Sequence, residues 1–337
     1  MFLGKVTIMQ MRIVNYFKKR NGLLFLCALG LCHFGLLNRD SVNGKRFITE
    51  KFYQYFLNLK KDDYYNELKD QLTSLYHNIN QEINIDYPRS YVEKIQWIKA
   101  FEIDSHFSEL SDKYKVRKWV AERIGEEYLI PMVGGPWKRG EDIEFDSLPD
   151  KYVLKANHGS GMNMIIKDGN SVNRRKIIKR TNAWMDSLFG WNGMEVQYFE
   201  IPRRIYAEQY IEQLDGGLLD YKIHCFNGVP KLIQVIGDRD INKHTANEAV
   251  YDLDWKRVDL MYHTYKQYDK EISKPAKLEK MLELSTVLSK EFKYVRVDLY
   301  LIENNIKFGE MTFTPARGLT KWENKDAENM VGEWIEI

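Results

Sequence analysis

The chain has 337 residues, 44% hydrophobic and 29% charged, enough apolar content to fill a core and too much for whole-length disorder. Lys and Arg number 50 against 48 Asp and Glu, a net charge of +2 that excludes a dedicated nucleic-acid binder with its basic excess. Three cysteines, Cys27, Cys32 and Cys225, cannot build a disulfide framework or a four-Cys zinc site and read as reduced thiols of a cytosolic protein.

Residues 1–85 read as a helical N-terminal region. Apolar positions recur at three- and four-residue spacing over 48–59 and 64–79. Residues 22–37 form an apolar run after Lys18-Lys19-Arg20. The run is shorter than the about 20 residues of a spanning helix, and no small-x-small cleavage site follows Leu37. A buried or interfacial helix is the expectation, with contact between a membrane surface and the preceding basic residues as the alternative.

Asp86 to Ser90 breaks the pattern. Ser90 and Glu93 form a capping-box signature for a helix through Trp97 to Phe101. A second helix is expected from about Ser111 to Ile124, ending at Gly125. From Tyr128 the character changes. Short strands are expected at 128–131, before the turn Gly134-Gly135-Pro136, and at 151–155 and 164–167. The last two form a hairpin with a loop of about eight residues. A helix follows over 174–188. Strands are expected at 204–211 and 221–226, and Asn227-Gly228 signals a tight turn into 231–236. An amphipathic helix over 278–292 precedes strands at 294–302 and 306–312. Hairpins mixed with helices indicate an α+β fold, not a doubly wound parallel sheet.

Several clusters carry chemistry. Lys155 ends a strand and is followed by His158-Gly159-Ser160-Gly161, a loop whose backbone N–H groups suit phosphate oxygens. It lacks the Gly-Lys-Ser/Thr of a P-loop and the third glycine of the dinucleotide fingerprint. Asp298 and Glu310 lie on neighbouring strands. With a three-residue connecting loop they fall directly opposite each other, and with a two-residue loop they are offset by one. Facing carboxylates repel unless a cation sits between them, and oxygen ligands with open positions suit Mg²⁺. Glu208-Gln209-Tyr210-Ile211 reads by itself as a strand edge, and Asp220 with Lys222 as an ordinary surface pair. Asp238/Asp240 and Asp252/Asp254 each form an Asp-x-Asp pair. The basic run 174–180 reads as a solvated helix face.

In order and spacing these pieces resemble an ATP-grasp enzyme, and one family within that superfamily. Tyr91-Val-Glu-Lys94-Ile-Gln96-Trp97, Ser111-Asp112-Lys113-Tyr114-Lys-Val-Arg117, Asp220-Tyr221-Lys222-Ile-His-Cys225-Phe226-Asn227-Gly228, Arg296-Val-Asp298-Leu-Tyr300 and Phe308-Gly309-Glu310-Met-Thr312-Phe313-Thr-Pro315 are similar to the TupA-like ATP-grasp proteins. That family is associated with teichuronopeptide and other bacterial surface-polysaccharide synthesis. The resemblance covers about residues 85–335 and implies two α+β lobes clasping ATP, about 111–207 and 208–337.

It also implies roles. Lys113, Lys155 and the loop His158, Gly159, Ser160 and Gly161 would hold the phosphates. Glu208, Gln209, Tyr210 and Ile211 would form the adenine hinge, and Asp215 is the candidate ribose-binding acid. Asp298, Glu310 and Thr312 would hold Mg²⁺, with Thr312 replacing the asparagine of the wider superfamily. Arg296 would stabilise charge on the tetrahedral intermediate, and Lys222 would lie near the phosphates. The implied reaction joins a carboxylate to an amine through an acyl phosphate. The partners would be ATP, a carboxylate-bearing glycan or amino-acid substrate and an amine, with no nucleic acid. Peripheral contact with membrane or the polysaccharide machinery stays open. The active site would face the cytoplasm. The rival readings are a glycosyltransferase using one Asp-x-Asp pair and a nucleotide-binding partner without turnover.

Overall fold

The structure is a computed structural model. It describes residues 83–337 except 191–192, 213–216, 241–244, 262–264 and 270, together with scattered helical residues between 63 and 73. The apolar run 22–37, the 48–59 helix, Cys27, Cys32 and Asp215 lie outside the described residues. The chain divides into two compact units, Met1–Ile85 and Asp86–Ile337, and the second carries every element below.

Helix α1 spans Tyr91–Phe101 and starts as its capping box requires. The Glu93 amide donates to Ser90 Oγ at 3.3 Å, and the Ser90 amide donates to Glu93 Oε2 at 3.0 Å. The single helix expected from Ser111 is instead two, α2 (Ser105–Ser111) and α3 (Val116–Ile124). Asp112 separates them. Its Oδ1 accepts from the amides of Tyr114 and Lys115 at 2.9 and 3.1 Å, a local turn that competes with helix. Asn157 adds a third bond to the same oxygen at 2.9 Å. The break releases Lys113 from a helical surface. Gly125, at φ 116°, ends α3.

The first sheet has the order β1-β4-β2-β3 and is antiparallel throughout, with β1 Met132–Trp137, β2 Tyr152–Ala156, β3 Asn163–Ile166 and β4 Ile205–Gln209. The expected strand at 128–131 is displaced. Glu126–Tyr128 is a 3-10 turn, and β1 runs through Gly134-Gly135-Pro136. Proline is tolerated because β1 is an edge strand, and a Cβ on Gly135 would stand 3.0 Å from the Ile205 carbonyl oxygen of β4. β4, which read as an edge, is an interior strand. Tyr152, Leu154, Ala156, Ile205 and Ala207 turn to one face and pack with Ile177 and Trp184 of helix α4 (Arg174–Met185).

The second sheet has the order β10-β9-β5-β6-β7-β8, with β5 Asp220–Phe226, β6 Val229–Asp240, β7 Thr245–Tyr251, β8 Lys266–Gln267, β9 Tyr294–Ile302 and β10 Asn305–Thr312. All pairs are antiparallel except β7 with β8. Asn227 and Gly228, at φ 48° and 77°, make the expected tight turn. Strands β7 and β8 were not foreseen. One face carries Tyr221, Ile223, Val295, Val297, Leu299 and Ile233, packed under α3 and helix α5 (Leu278–Ser289). Burying each such aliphatic side chain contributes about 1.5–3 kcal/mol. Alternation sends the intervening residues to the opposite face. Helix α6 (Lys325–Glu333) lies near the end of the chain.

Candidate active site

Residues from both sheets line one cleft of about 1240 Å³. From the second sheet the cleft face is a set of polar rows, fixed by register. Tyr300 of β9 faces Asp220 of β5, which faces Ile236 of β6. One step on, Glu310, Asp298, Lys222 and Gln234 stand in line across β10, β9, β5 and β6. The third row is Thr312, Arg296, His224 and Leu232.

The central pairing depends on two local features. The β9–β10 loop has two residues, Glu303 and Asn304, at φ 47° and 64°, so an unbroken ladder would offset Asp298 from Glu310 by one. A bulge between Phe308 and Glu310 inserts Gly309 and brings the two carboxylates directly opposite. A Cβ on Gly309 would meet the Asp298 carbonyl oxygen at 3.0 Å, so the extra residue is one without a side chain.

The carboxylates are neutralised by the chain's own cations. Arg296 reaches Asp298 through Nε and an Nη atom at 2.6 and 2.8 Å, Glu310 at 3.4 Å and the Thr312 hydroxyl at 3.1 Å. Lys222 bonds to Asp298 and lies 2.8 Å from Asp220 Oδ2, and Lys113 bonds to Glu310. Asp298 is 1% exposed. Burial works against its charge, yet Arg296 and Lys222 together hold its carboxyl down to about 2. Burial lowers the Lys113 ammonium to about 8, helped by the nearby cations Lys155, Lys222 and Arg296. Asp220 and Lys222 are buried in the cleft wall, not a surface pair, and Asp220 Oδ1 has no hydrogen-bond partner.

The first sheet faces these rows with Val153, Lys155, Ile165, Tyr206 and Glu208. Lys155 bonds to Glu208, whose other oxygen accepts from Arg117 at 3.0 Å. The loop 157–162 brings Gly159, Ser160 and Gly161 to the cleft, and Gly161 adopts φ 70°. His158 sits behind that loop. Its Nε2 donates to the Trp184 carbonyl at 3.1 Å, and burial with Arg203 nearby holds the ring down to about 4. Gln209 and Ile211 line the cleft, whereas Tyr210 is buried outside it, with Lys151 Nζ 5.8 Å from its ring centre.

The structure thus brings Lys113, Lys155, Gly159, Ser160, Gly161, Glu208, Gln209, Ile211, Lys222, Arg296, Asp298 and Glu310 to one cavity. Thr312 adjoins it through its bond to Glu310 at 3.3 Å. Sequence reasoning missed Asp220, His224, Gln234, Arg239, Glu248 and Tyr300 as wall residues. Alternation offered a signal, since Asp220, Lys222 and His224 interleave with apolar Tyr221, Ile223 and Cys225. Arg180 of the basic run also lines the cleft, while Arg174 is spent on Asp146.

The donor set suits a hard cation. Two facing carboxylates and a hydroxyl leave coordination positions for phosphate oxygens, as Mg²⁺ prefers over an all-protein cage. Among the described residues no group of three or more His, Cys, Asp or Glu forms such a cage. The Asp-x-Asp pairs are used otherwise. Asp252 Oδ1 accepts from the amides of Asp254 and Lys256 at 3.1 and 2.8 Å and closes a turn, and Asp238 accepts from Asn247 at 3.0 Å. Neither Asp238, Asp252 nor Asp254 lines the cleft. Among the described residues no helix is long and apolar enough to cross a membrane.

No functionally curated protein matches the sequence. Among solved structures, the D-alanine–D-alanine ligase of Bacillus anthracis is 18% identical, with 61% of this chain and 57% of that one covered and a TM-score of 0.37. The D-alanyl-alanine synthetase A of Vibrio cholerae is 9% identical, with coverage of 66% and 63% and a TM-score of 0.40. The ATP-grasp ligase PsnB complexed with a minimal precursor is 10% identical, with coverage of 62% and 54% and a TM-score of 0.34. The chain thus spans less than two thirds of each of these structures. The assignment comes from the sequence profile of the TupA-like ATP-grasp proteins, which matches residues 93–336. Two α+β sheets walling a cleft are the ATP-grasp fold, and the chain belongs to the TupA-like ATP-grasp family.

Proposed function

We propose that the protein is an ATP- and Mg²⁺-dependent carboxylate–amine ligase of bacterial surface-polysaccharide synthesis, working on the cytoplasmic side. The observation that carries this reading is the meeting of Lys155 and the glycine loop with the Glu310, Asp298 and Lys222 row in one cleft. In this reading Val153 and Ile165 flank the adenine, with backbone groups near Gln209 and Ile211 at its edge. Asp215 takes the ribose. Lys113 and Lys155 balance phosphate charge, which they do more strongly in a cleft that excludes water. The loop 157–162 covers the phosphates, and His158 anchors it. Mg²⁺, when held by Asp298, Glu310 and the Thr312 hydroxyl, neutralises charge on the transferring phosphoryl group.

The chemistry runs in two steps. A carboxylate oxygen attacks the γ-phosphorus, the bond to ADP breaks, and an acyl phosphate forms. An amine then adds to the acyl carbon, loses a proton, and phosphate leaves. Arg296, held on Asp298, faces the oxygen on which charge develops, and Lys222 the phosphate. The protein's contribution is positioning and fixed charge, not covalent catalysis. A uronic acid or a glutamyl group on an envelope glycan fits the carboxylate role.

The test supplies MgATP, hydroxylamine and a panel of uronic acids and glutamyl compounds, and reads ADP release with hydroxamate formation. Carboxylate-dependent hydroxamate is the expected result. Turnover of a sugar nucleotide, with no ATP consumed for any carboxylate, would replace this reading with the glycosyltransferase.

A further inference from the structure

His224 is one of several polar groups of the cleft with no task in that reaction. His224 of β5 is paired with Arg296 of β9, lines the cleft and is 0% exposed. Its Nδ1 lies 2.8 Å from the Tyr294 hydroxyl. Burial raises the pKa of that phenol well above its ordinary value, so the hydroxyl keeps its proton and is able to donate it to Nδ1. A neutral ring that accepts at Nδ1 carries its own hydrogen on Nε2. The Nε2 atom is buried and makes no hydrogen bond of ordinary geometry. Gln234 on β6 also acts on this ring. Its amide nitrogen donates to Glu248 Oε2 at 3.3 Å, leaving the amide oxygen as the end that suits an Nε2–H donor.

The place of His224 in the rows points to what it meets. β5 begins with Asp220, shortly after the strand that ends at Gln209, so the Asp220 row lies at the hinge end. The Glu310–Asp298–Lys222 row follows, two residues or about 7 Å along the strands. The Thr312–Arg296–His224 row is farther still, and beyond it Pro315, Ala316, Thr320 and Lys321 continue the wall. With the nucleotide entering from the hinge and its phosphates at the second row, the third row faces the reacting carboxyl group.

We propose that His224 donates a hydrogen bond through Nε2–H to the carboxyl oxygen that reacts beside Arg296. The assignment rests on the ligase reading. Burial and the Arg296 charge hold the ring down to about 3, so it stays neutral. A neutral donor adds to Arg296 without the repulsion of a second cation. No proton is transferred. The bond strengthens as negative charge builds on the oxygen during amine addition.

The test uses the full chain labelled with ¹⁵N-histidine, with MgADP as nucleotide and phosphonoacetate as a stable carrier of one carboxylate and one phosphonate. The His224 signals are those absent from His224→Gln. The expected spectrum has a proton on Nε2 and none on Nδ1, and the Nε2 signal moves when phosphonoacetate is added. By calorimetry His224→Gln, which keeps an N–H, stays within about threefold of wild type for phosphonoacetate, whereas His224→Phe loses about tenfold or more. A proton on Nδ1, an unmoved Nε2 signal, or equal losses in the two variants overturns the assignment. Binding of MgADP without phosphonoacetate also overturns it. Failure of the wild type to bind MgADP at all would instead sink the ligase reading. If His224→Phe does not fold, the wild-type tautomer and its response decide.

Discussion

On the four-stranded sheet the cleft face is Val153, Ile165 and Tyr206 around a single paired lysine, and its glycine loop reaches the surface at Ser160 and Gly161. On the six-stranded sheet the cleft face is a ladder of charges, each carboxylate held by cations from its own strand, a neighbouring strand or the Lys113 turn. In the proposed reading the first surface holds a flat apolar group and covers phosphates with the backbone of its glycine loop. The second fixes charges before substrate arrives. Stability and chemistry are therefore separable on the small sheet and joined on the large one, because a buried ion network costs heavily when one member is removed.

The largest effect should follow a break in the large-sheet network. Arg296→Leu strips Asp298 of its two-pronged partner, and the expected loss in denaturant unfolding is about 3–5 kcal/mol. Acid sensitivity should change with it. The Asp298 carboxyl, held down to about 2, lies below its unfolded value, so its stabilisation is present above about pH 4 and fades as pH falls toward 2. Without Arg296 that folded value rises, so acid unfolding moves to higher pH. An unchanged acid midpoint would contradict the network.

Gly309→Val should rank next. The new side chain meets the Asp298 carbonyl and the Tyr300 ring, each at 3.0 Å from its Cβ. A stability loss of about 1–3 kcal/mol is expected, with MgATP affinity falling as Glu310 leaves its place opposite Asp298. Full affinity in a folded Gly309→Val would remove the bulge from the account.

Lys155→Ala sharpens the contrast from the other side. Glu208 keeps Arg117 at 3.0 Å, so unfolding should shift by less than about 1 kcal/mol, while MgATP affinity falls about 10- to 100-fold. A large stability loss would show that the small sheet too is held by its charges.

The smallest effect concerns Lys99 of α1, buried and bonded to the carbonyls of Gly193 and Arg317. Burial lowers it to about 7, only partly opposed by Glu195. Its folded value lies below the unfolded one near 10.4, so the penalty of a buried charge is full below pH 7 and is relieved as pH rises. The Tm of wild type minus that of Lys99→Met should rise from pH 7 to 9, since only the wild type sheds that penalty. A flat gap would show that Lys99 does not titrate there.

Local signals were legible wherever one residue decides the geometry. Ser90 with Glu93 and Asn227 with Gly228 set a helix start and a tight turn from their own chemistry. The strand at 132–137 was not legible, since it depends on β4, distant in sequence, and the break at Asp112 is a short local turn onto Tyr114 and Lys115, to which the distant Asn157 adds a bond. The site followed the same division. Lys155, Asp298 and Glu310 stood out by type and spacing, but their register hinged on Gly309. Asp220 and Lys222 read as a surface pair because only the sheet places β5 between β9 and β6 and buries both. His224 was marked only by the alternation of β5, because nothing in its neighbourhood in the chain reveals Arg296 and Tyr294 beside it.

The most direct test of the central claim is calorimetry of MgATP with wild type, Asp298→Asn and Glu310→Gln, with a UDP-sugar as control. The account expects MgATP to bind the wild type and each substitution to weaken it at least about tenfold, with no UDP-sugar binding. A protein that ignores MgATP but binds the UDP-sugar equally in all three forms would contradict it.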